Sequence, residues 1–188
     1  MNDRKQTLSL PTAEPRCVLR PWRDGDQDAL VRHADNRRVW RNLTHLFPHP
    51  YTRQDAEFWL SMASEPSRST HLAITFDGEA VGGIGAIAGE GVGARTAEFG
   101  YWIGEAFWGR GLATAAAAAF KTHLMEQGEF VRLQAGVFAW NPASMRVLEK
   151  VGFQREGVLR RAVSKDGDIV DCVMYAYVSA DHPYGRRA

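Results

Sequence analysis

The stretch at residues 101–119, YWIGEAFWGRGLATAAAAA, constrains the fold of this chain more than any other. Alternating apolar residues at its start predict the end of a strand. A turn containing Gly109 and Gly111 follows, and the alanine-rich helix after it has no Gly or Pro until Gly128. Such a junction leaves unpaired backbone N–H groups at the helix start, where the helix dipole adds about half a positive charge. The stretch therefore predicts an anion-binding turn that suits phosphate.

Two nucleotide-binding glycine motifs match part of this stretch but fail on the types of residue that they require. The nucleoside-triphosphate loop fits Gly104 and Gly109, but Arg110 and Gly111 stand where that motif needs Lys and then Ser or Thr. In the dinucleotide fingerprint, Thr114 replaces the third glycine, and no acidic residue ends a second strand about 20 residues on. A turn that merely joins two elements remains the alternative to a functional loop.

Residues 108–113, WGRGLA, resemble the acyl-CoA pyrophosphate motif of the GNAT N-acetyltransferase superfamily, Gln/Arg-x-x-Gly-x-Gly/Ala. Trp108 stands where this motif has Gln or Arg. The sequence Trp-Gly-Arg-Gly-Leu-Ala-Thr after Tyr-Trp-Ile-Gly is similar to that of the RimJ/RimL-type branch. A second stretch, residues 141–153, resembles Asn-x-x-Ser-x-x-Leu/Val-x-x-x-Gly-Phe of the same family. It follows the glycine turn by one predicted helix and one predicted strand. The resemblance covers residues 16–180.

The residues of the second stretch also have a purely local interpretation. Asn141 is a natural helix N-cap, Pro142 suits the first helical position and Gly152 suits the helix end. Asn141 and Ser144 alone can therefore be simple caps. The occurrence of both motifs in family order favours the acetyltransferase interpretation.

Composition narrows the class of protein. With 188 residues, 45% hydrophobic and 24% charged, the chain suits one soluble domain. A net charge of +1 argues against a nucleic-acid groove as the main function. Two cysteines cannot form a disulfide framework or a four-thiolate metal site, which fits a reducing, cytoplasmic location. No apolar run indicates a membrane span or secretion. His45 and His49 have metal-like spacing, but Pro48 keeps a helix from presenting both rings on one face, so we expect no metal.

Periodicity and turn signals give the predicted elements. Helices are predicted at about 24–35, 52–66, 110–127 and 141–152, and strands near 17–20, 72–76, 81–87, 97–103, 130–137, 153–163 and 169–178. This order, with the resemblance, implies an α/β GNAT fold: a twisted, mostly antiparallel sheet of seven strands, with a splayed parallel central pair and about four helices. Residues 1–15 are predicted to be a flexible arm, 16–180 the acetyltransferase domain and 181–188 a C-terminal tail.

The resemblance implies acetyl-CoA as the acetyl donor, lying where two parallel strands diverge. The residues implied to bind it, through strand backbone, glycine turn and the second motif, are Tyr101, Trp102, Ile103, Trp108, Gly109, Arg110, Gly111, Leu112, Ala113, Thr114, Asn141 and Ser144. Arg110, Arg146 and Lys150 are further groups that can meet phosphates. No metal is implied.

The implied reaction is direct attack of a primary amine on the thioester. Amines with a pKa near 8 or 10.4 are mostly protonated at pH 7, so a base must remove a proton. The resemblance implies Ser144 as the general acid and, as the base, a glutamate seven residues beyond Glu156, but that position is Val163. The base is therefore another residue or a chain of waters. Glu98 is the predicted candidate, because it lies on the central strand shortly before the implied thioester site, where other branches of the resembled family also carry a glutamate. A solvent-facing or salt-bridged strand residue is its alternative.

The acceptor implied is a protein N-terminus, ribosomal or other, or a small-molecule amine. Trp40 and Tyr51, in an aromatic segment at 37–51, are predicted to shape its site, with anchoring of that segment to the core as the alternative. Arg37, Arg38 and Arg41 make the segment basic, which disfavours polyamines. A catalytically idle acyl-CoA-binding regulatory module is the alternative function. The expected assembly is a monomer or a homodimer.

Overall fold

The structure, a computed structural model, describes residues 9–180, so the predicted C-terminal tail and the start of the predicted arm lie outside it. One sheet contains eight strands. They are β1 (Leu10–Pro11), β2 (Cys17–Pro21), β3 (Thr70–Phe76), β4 (Glu79–Ala88), β5 (Thr96–Ile103), β6 (Arg132–Phe138), β7 (Gln154–Lys165) and β8 (Asp168–Val178). The helices are α1 (Gln27–Ala34), α2 (Arg37–Trp40), α3 (Arg53–Ser64), α4 (Leu112–Glu126) and α5 (Pro142–Lys150).

The sheet order is β1-β2-β3-β4-β5-β6-β8-β7, and β5 and β6 are parallel whereas the other neighbours are antiparallel. This confirms the predicted mixed sheet with a parallel central pair. The count of seven strands was one short, because Leu10 and Pro11 pair with Leu19 and Val18 instead of lying loose in the arm.

The additional helix, α2, is a single turn inside the segment predicted to be irregular. Its N-cap is Asn36, whose side-chain oxygen accepts from the backbone N–H groups of Arg38 and Val39. An Asn cap satisfies N–H groups that a helix start leaves unpaired, which lets even one turn persist. The other four helices lie where periodicity predicted them, although α4 begins at Leu112, after the glycine turn.

Two cores cover the two faces of the sheet. On one face, called here the α4 face, α4 and α5 bury Phe120 and Leu148 against strand residues such as Phe99. On the other, the α1 face, α1 and α3 bury Leu30 and Leu60 against strand residues such as Ala73. Side chains alternate between faces along a strand. No helix within residues 9–180 is long and apolar enough to cross a membrane.

Candidate functional site

The parallel pairing of β5 and β6 stops early and opens a gap in the sheet. The strands pair only from Thr96 with Arg132 to Glu98 with Gln134. Beyond that point β5 continues along β4 as far as Ile103, and β6 continues along β8. Among the described residues, the last part of β5 therefore has no strand partner on its β6 side. The predicted divergence of the central strands is confirmed.

Backbone groups of two β5 residues face this gap. The Gly104 N–H donates to the Val81 carbonyl on β4, 2.8 Å away, and strand groups alternate in direction, so those of Tyr101 and Ile103 point away from β4. Trp102 was also predicted to bind acetyl-CoA through its backbone, but its backbone groups face β4 instead of the gap. Its carbonyl lies against β4, since a Cβ at Gly82 would come within 2.2 Å of it.

The glycine turn, residues 104–111, leads from β5 into α4. A 3-10 turn at Glu105–Phe107 comes first, and Gly109 and Gly111 then adopt φ of 75° and 81°, the left-handed region that favours glycine. A Cβ at either glycine would have no atom within 4 Å, so the turn is open. It has the shape of an anion cradle.

The amides at the start of α4 point into that cradle. The first intrahelical bond runs from the Ala115 N–H to the Gly111 carbonyl, 3.0 Å. Leu112, Ala113 and Thr114 precede it, and their N–H groups therefore have no acceptor inside the helix. The Leu112 side chain is buried in the core, so only its backbone is available. These amides and the helix dipole suit a phosphate.

Two side chains of the turn have partners that the sequence did not reveal. Trp108, where the motif has Gln or Arg, donates its indole N–H to the Ile103 carbonyl at 2.7 Å and ties the turn to the edge of β5. The Arg38 guanidinium lies 5.3 Å from the Trp108 ring centre. Arg110 is exposed and its guanidinium lies 5.1 Å from the Phe107 ring centre. Because Arg110 belongs to the turn itself, its exposed guanidinium is a candidate partner for a bound anion.

Ser144, the predicted general acid, lies at the start of α5 across the gap from β5. Asn141 caps the helix, because its side-chain oxygen accepts the Ser144 N–H at 3.1 Å. The Ser144 hydroxyl is 2.9 Å from the phenol oxygen of Tyr101. Burial raises the pKa of Tyr101 to about 12, against a smaller lowering by this hydrogen bond. The phenol is neutral at ordinary pH.

Glu98, the predicted base, occupies the last paired position before the gap. Its side chain is exposed and accepts from the Gln134 amide at 3.2 Å. Burial, and then the Glu98 charge, raise the pKa of the Cys172 thiol, which places Glu98 near β8. Strand alternation puts Glu98 on the same face as Trp102, the α1 face, whereas Tyr101 contacts Ser144 on the α4 face.

Glu156 forms a salt bridge with Arg132. Arg132 donates to both of its carboxylate oxygens, at 2.8 and 2.5 Å, and this hydrogen bonding lowers the pKa of Glu156. Val163, at the position where the resemblance implied a glutamate, pairs with Val170 on β8. Glu98 is therefore the carboxylate at the start of the gap.

A wall of side chains borders the α1 face near the gap. It is formed by α2, the loop after it and the tip of the β7–β8 hairpin, and we call it the aromatic wall. Trp40 lies beneath the Lys165 ammonium, 3.7 Å from the ring centre, and Lys165 also donates to the Thr44 carbonyl at 3.4 Å. Burial lowers the pKa of Lys165. Trp40 is thus part of a fixed surface and only half-buried.

The three arginines that make the segment at 37–51 basic each lie beside a carboxylate. Arg37 donates to Asp166 at 2.7 Å, and Arg41 lies 3.9 Å from Asp168. Arg38 pairs with Glu105 of the glycine turn. Adjacent carboxylates neutralise these charges, and the sequence could not show this because the partners lie far away in the chain.

Tyr51, the other predicted acceptor residue, is 5% exposed. Its ring lies 5.1 Å from Phe47, whose ring in turn lies 5.5 Å from Trp102, and its N–H donates to Asp35 at 2.9 Å. Burial raises the pKa of Tyr51. This geometry favours the alternative, that Tyr51 anchors the segment to the core. Within residues 9–180 no three His, Cys, Asp or Glu side chains cluster as a metal site.

Comparisons with known proteins agree with this geometry. The chain is 36% identical over 87 residues to a probable N-acetyltransferase, YjcK of Bacillus subtilis (strain 168), covering 46% of this chain and 48% of that one. It is 33% identical over 84 residues to the ribosomal-protein-serine acetyltransferase of Escherichia coli (strain K12), covering 45% and 47%. The match thus spans about half the length of these curated relatives.

A solved structure extends the likeness across the fold. Mycobacterium smegmatis RimJ, determined in complex with a CoA disulfide, superposes with a TM-score of 0.78 at 29% identity, covering 94% of this chain and 88% of that one. The model of the acetyltransferase (GNAT) domain family matches residues 16–154. Because that match takes in the diverging strands, the glycine turn and α5, the chain belongs to the GNAT acetyltransferase family.

Proposed function

We propose that this protein transfers the acetyl group of acetyl-CoA to a primary amine. The observation that carries the proposal is the gap between β5 and β6, which begins at Glu98, passes Tyr101 and lies beside the glycine turn. It offers an anion cradle, an unpaired strand edge and two proton-transfer groups on opposite faces of the sheet. A donor and an acceptor can therefore meet in the gap from opposite sides.

On the α4 face, the amides at the start of α4 hold the pyrophosphate, with Gly109 and Gly111 leaving room for it. The free backbone groups of Tyr101 and the N–H of Ile103 pair with the pantetheine arm and hold the oxyanion that forms at the thioester carbon. The CoA disulfide in Mycobacterium smegmatis RimJ supports a CoA-type ligand for this fold.

On the α1 face, Glu98 accepts a proton from the incoming ammonium, directly or through one water. The amine nitrogen then bonds to the thioester carbon and gives up its second proton to water, and the collapse of the oxyanion breaks the carbon–sulfur bond. Ser144 donates its hydroxyl proton to the leaving sulfur, whose thiol pKa is comparable to that of cysteine, near 8.5, so it needs only modest help.

The acceptor is proposed to be a protein N-terminus or a small-molecule amine, bound beside Trp40. The name of the Escherichia coli relative supports a ribosomal-protein acceptor. Since the arginines of the aromatic wall are paired with carboxylates, their charge does not exclude a polyamine acceptor. Both kinds of amine belong in the test.

The test incubates the purified chain with acetyl-CoA and a panel of amines: peptides with different N-terminal residues, a polyamine and an aminoglycoside. Release of free CoA thiol, with mass spectrometry of the acetylated product, would support the proposal. Binding of acetyl-CoA without release for any amine would favour the idle regulatory module. Calorimetry showing no binding of acetyl-CoA would exclude both.

A further inference from the structure

The Tyr101 phenol joins the two sides of the gap, and the mechanism above makes no use of it. Tyr101 lies on β5 beyond the last residue that pairs with β6, and its side chain reaches α5. There its oxygen is 2.9 Å from the Ser144 hydroxyl oxygen and 3.2 Å from the Ser144 carbonyl oxygen. One phenol therefore meets both oxygens of the proposed general acid.

Hydrogen counting limits how these groups bond. A phenol has one hydrogen, so it donates to one Ser144 oxygen at a time. If the phenol donates to the carbonyl, the Ser144 hydroxyl can donate its own hydrogen to the phenol oxygen. That hydrogen then does not point into the gap. If the phenol donates to the hydroxyl, the Ser144 hydrogen is free to point elsewhere. The second arrangement makes the Ser144 hydroxyl oxygen the acceptor of the phenol and so directs the Ser144 proton away from Tyr101.

We propose that Tyr101 is a positioning residue that donates its hydrogen bond to the Ser144 hydroxyl and so aims the Ser144 proton at the sulfur of the acetyl donor. This inference rests on the proposed function. As the Ser144 O–H bond breaks and the sulfur–hydrogen bond forms, the phenol O–H stabilises the negative charge left on the serine oxygen. The proton that the amine nitrogen loses passes through water to Ser144 as the Ser144 proton moves to the sulfur, so Ser144 ends the step protonated.

The surroundings of Tyr101 suit this role. Its ring packs beside Phe99, 6.3 Å between centres, within the core of the α4 face. The phenol thus approaches Ser144 from a rigid strand. A pKa of about 12 keeps it protonated, so it remains a donor throughout any practical assay range and does not compete with Glu98 as a base.

The test compares Tyr101→Phe, Ser144→Ala and the double variant in the CoA-release assay. A positioned general acid contributes up to about 10²–10⁴ in rate, and a thiol leaving group calls for the low end. We therefore expect kcat to fall about 10-fold for Tyr101→Phe and about 10- to 100-fold for Ser144→Ala. The double variant should be no slower than Ser144→Ala within about twofold, because Tyr101 acts through Ser144. The KM for acetyl-CoA should stay within about twofold.

Tyr175→Phe is the matched control. The Tyr175 phenol is buried and donates to Glu149, also on α5, at 2.8 Å. This variant removes a phenol–α5 hydrogen bond of similar length without touching Ser144. It should keep the wild-type kcat. A loss of kcat in Tyr101→Phe alone would then come from the orientation of the Ser144 hydroxyl and not from weaker packing of α5.

Three results would overturn the inference. The first is a wild-type kcat in folded Tyr101→Phe. The second is a double variant in which the two losses multiply, since independent effects add as free energies. The third is a loss of kcat in Tyr175→Phe as large as in Tyr101→Phe. A wild-type chain that binds acetyl-CoA but acetylates no amine would overturn the proposed function, and the role of Tyr101 with it.

Discussion

The glycine turn and the aromatic wall are both beside the gap, but they are built in opposite ways. The turn is one continuous segment that presents backbone N–H groups and left-handed glycines. The wall is assembled from side chains of distant segments, as in the contact of Lys165 with Thr44 and Trp40. A backbone site tolerates many side chains and few conformations, whereas a side-chain site is sensitive to single substitutions.

The largest effect is expected from removing one carboxylate on the α1 face. Glu98→Gln should lower kcat/KM by about 10²–10⁴ at neutral pH, because the ammonium loses its base. Much of the rate should return at higher pH as free amine accumulates. Measured pH–rate profiles check this.

Glu156→Gln is the control, since that carboxylate is held by Arg132 and its pKa is lowered. It should stay within about threefold of the wild-type rate. A wild-type pH–rate profile for Glu98→Gln would mean that water, and not Glu98, removes the proton from the acceptor. The α1 face would then depend less on its side chains than we expect.

A backbone substitution should damage the glycine turn most. Gly111→Asp places a Cβ at a φ of 81° and a negative charge in the cradle, so CoA affinity should fall at least about 100-fold by calorimetry. Arg110→Ala should cost less than about 10-fold, because an exposed arginine contributes only part of the attraction.

Gly128→Asp is matched to Gly111→Asp. Gly128 has a φ of 67°, lies in open space just past the other end of α4, and carries the same conformational cost. Its CoA affinity should match the wild type. Unchanged affinity in a folded Gly111→Asp variant would show that the turn is only a connection.

Two aromatic substitutions should separate binding from anchoring within the wall segment. Trp40→Ala removes the surface under Lys165 and should raise the KM of the acceptor about 10-fold while that of acetyl-CoA changes less than about twofold. Tyr51→Ala should instead lower the free energy of unfolding by about 3 kcal/mol, because Tyr51 is buried.

Steady-state kinetics and denaturant unfolding measure these two quantities. The exposed Phe58, on α3, gives the control Phe58→Ala, which should leave both nearly unchanged. Equal effects of Trp40→Ala on both substrates, with lost stability, would make Trp40 an anchor as well.

The smallest effect is expected at His33, which packs against the start of the glycine turn. His33 packs where a Cβ on Gly104 would lie, 2.9 Å away, and hydrogen-bonds Glu79 at 2.9 Å. Hydrogen bonding from His33 is the main cause that lowers the pKa of Glu79, and Arg32 adds to it. A carboxylate with a lowered pKa stabilises the fold above the ordinary Glu value of about 4.3 and loses that contribution as the pH falls through its folded value.

Glu79→Gln should therefore cost less than about 1 kcal/mol at pH 7, since the pair is partly exposed, and the difference between the two chains should vanish as the pH falls below the lowered pKa of Glu79. Urea unfolding at pH 7 and at a series of acidic pH values measures this. A constant difference would mean that the amide changes packing rather than charge.

Features set by neighbouring residues in the chain were predicted correctly from the sequence, whereas a feature that depends on distant pairing was missed. Asp-Gly pairs are a sequence signal for hairpin turns, and Asp77-Gly78 and Asp166-Gly167 have the positive φ values that such turns require. Thr52 and Asp55 likewise have the spacing of a capping box and form one. In contrast, β1 was missed because a two-residue strand has no periodicity of its own, and its pairing with β2 requires the sheet.

The sequence alone determined what depends on neighbours in the chain: the glycine turn, the helix caps, the hairpin turns and hence the order of elements. Backbone conformation is set within a few residues, so local patterns are sufficient. Only the tertiary structure decided that Arg37 is neutralised by Asp166, that Tyr51 is buried and that Tyr101 meets Ser144. Charge pairing and burial depend on which segments the folded sheet brings together, and no local pattern encodes those distances.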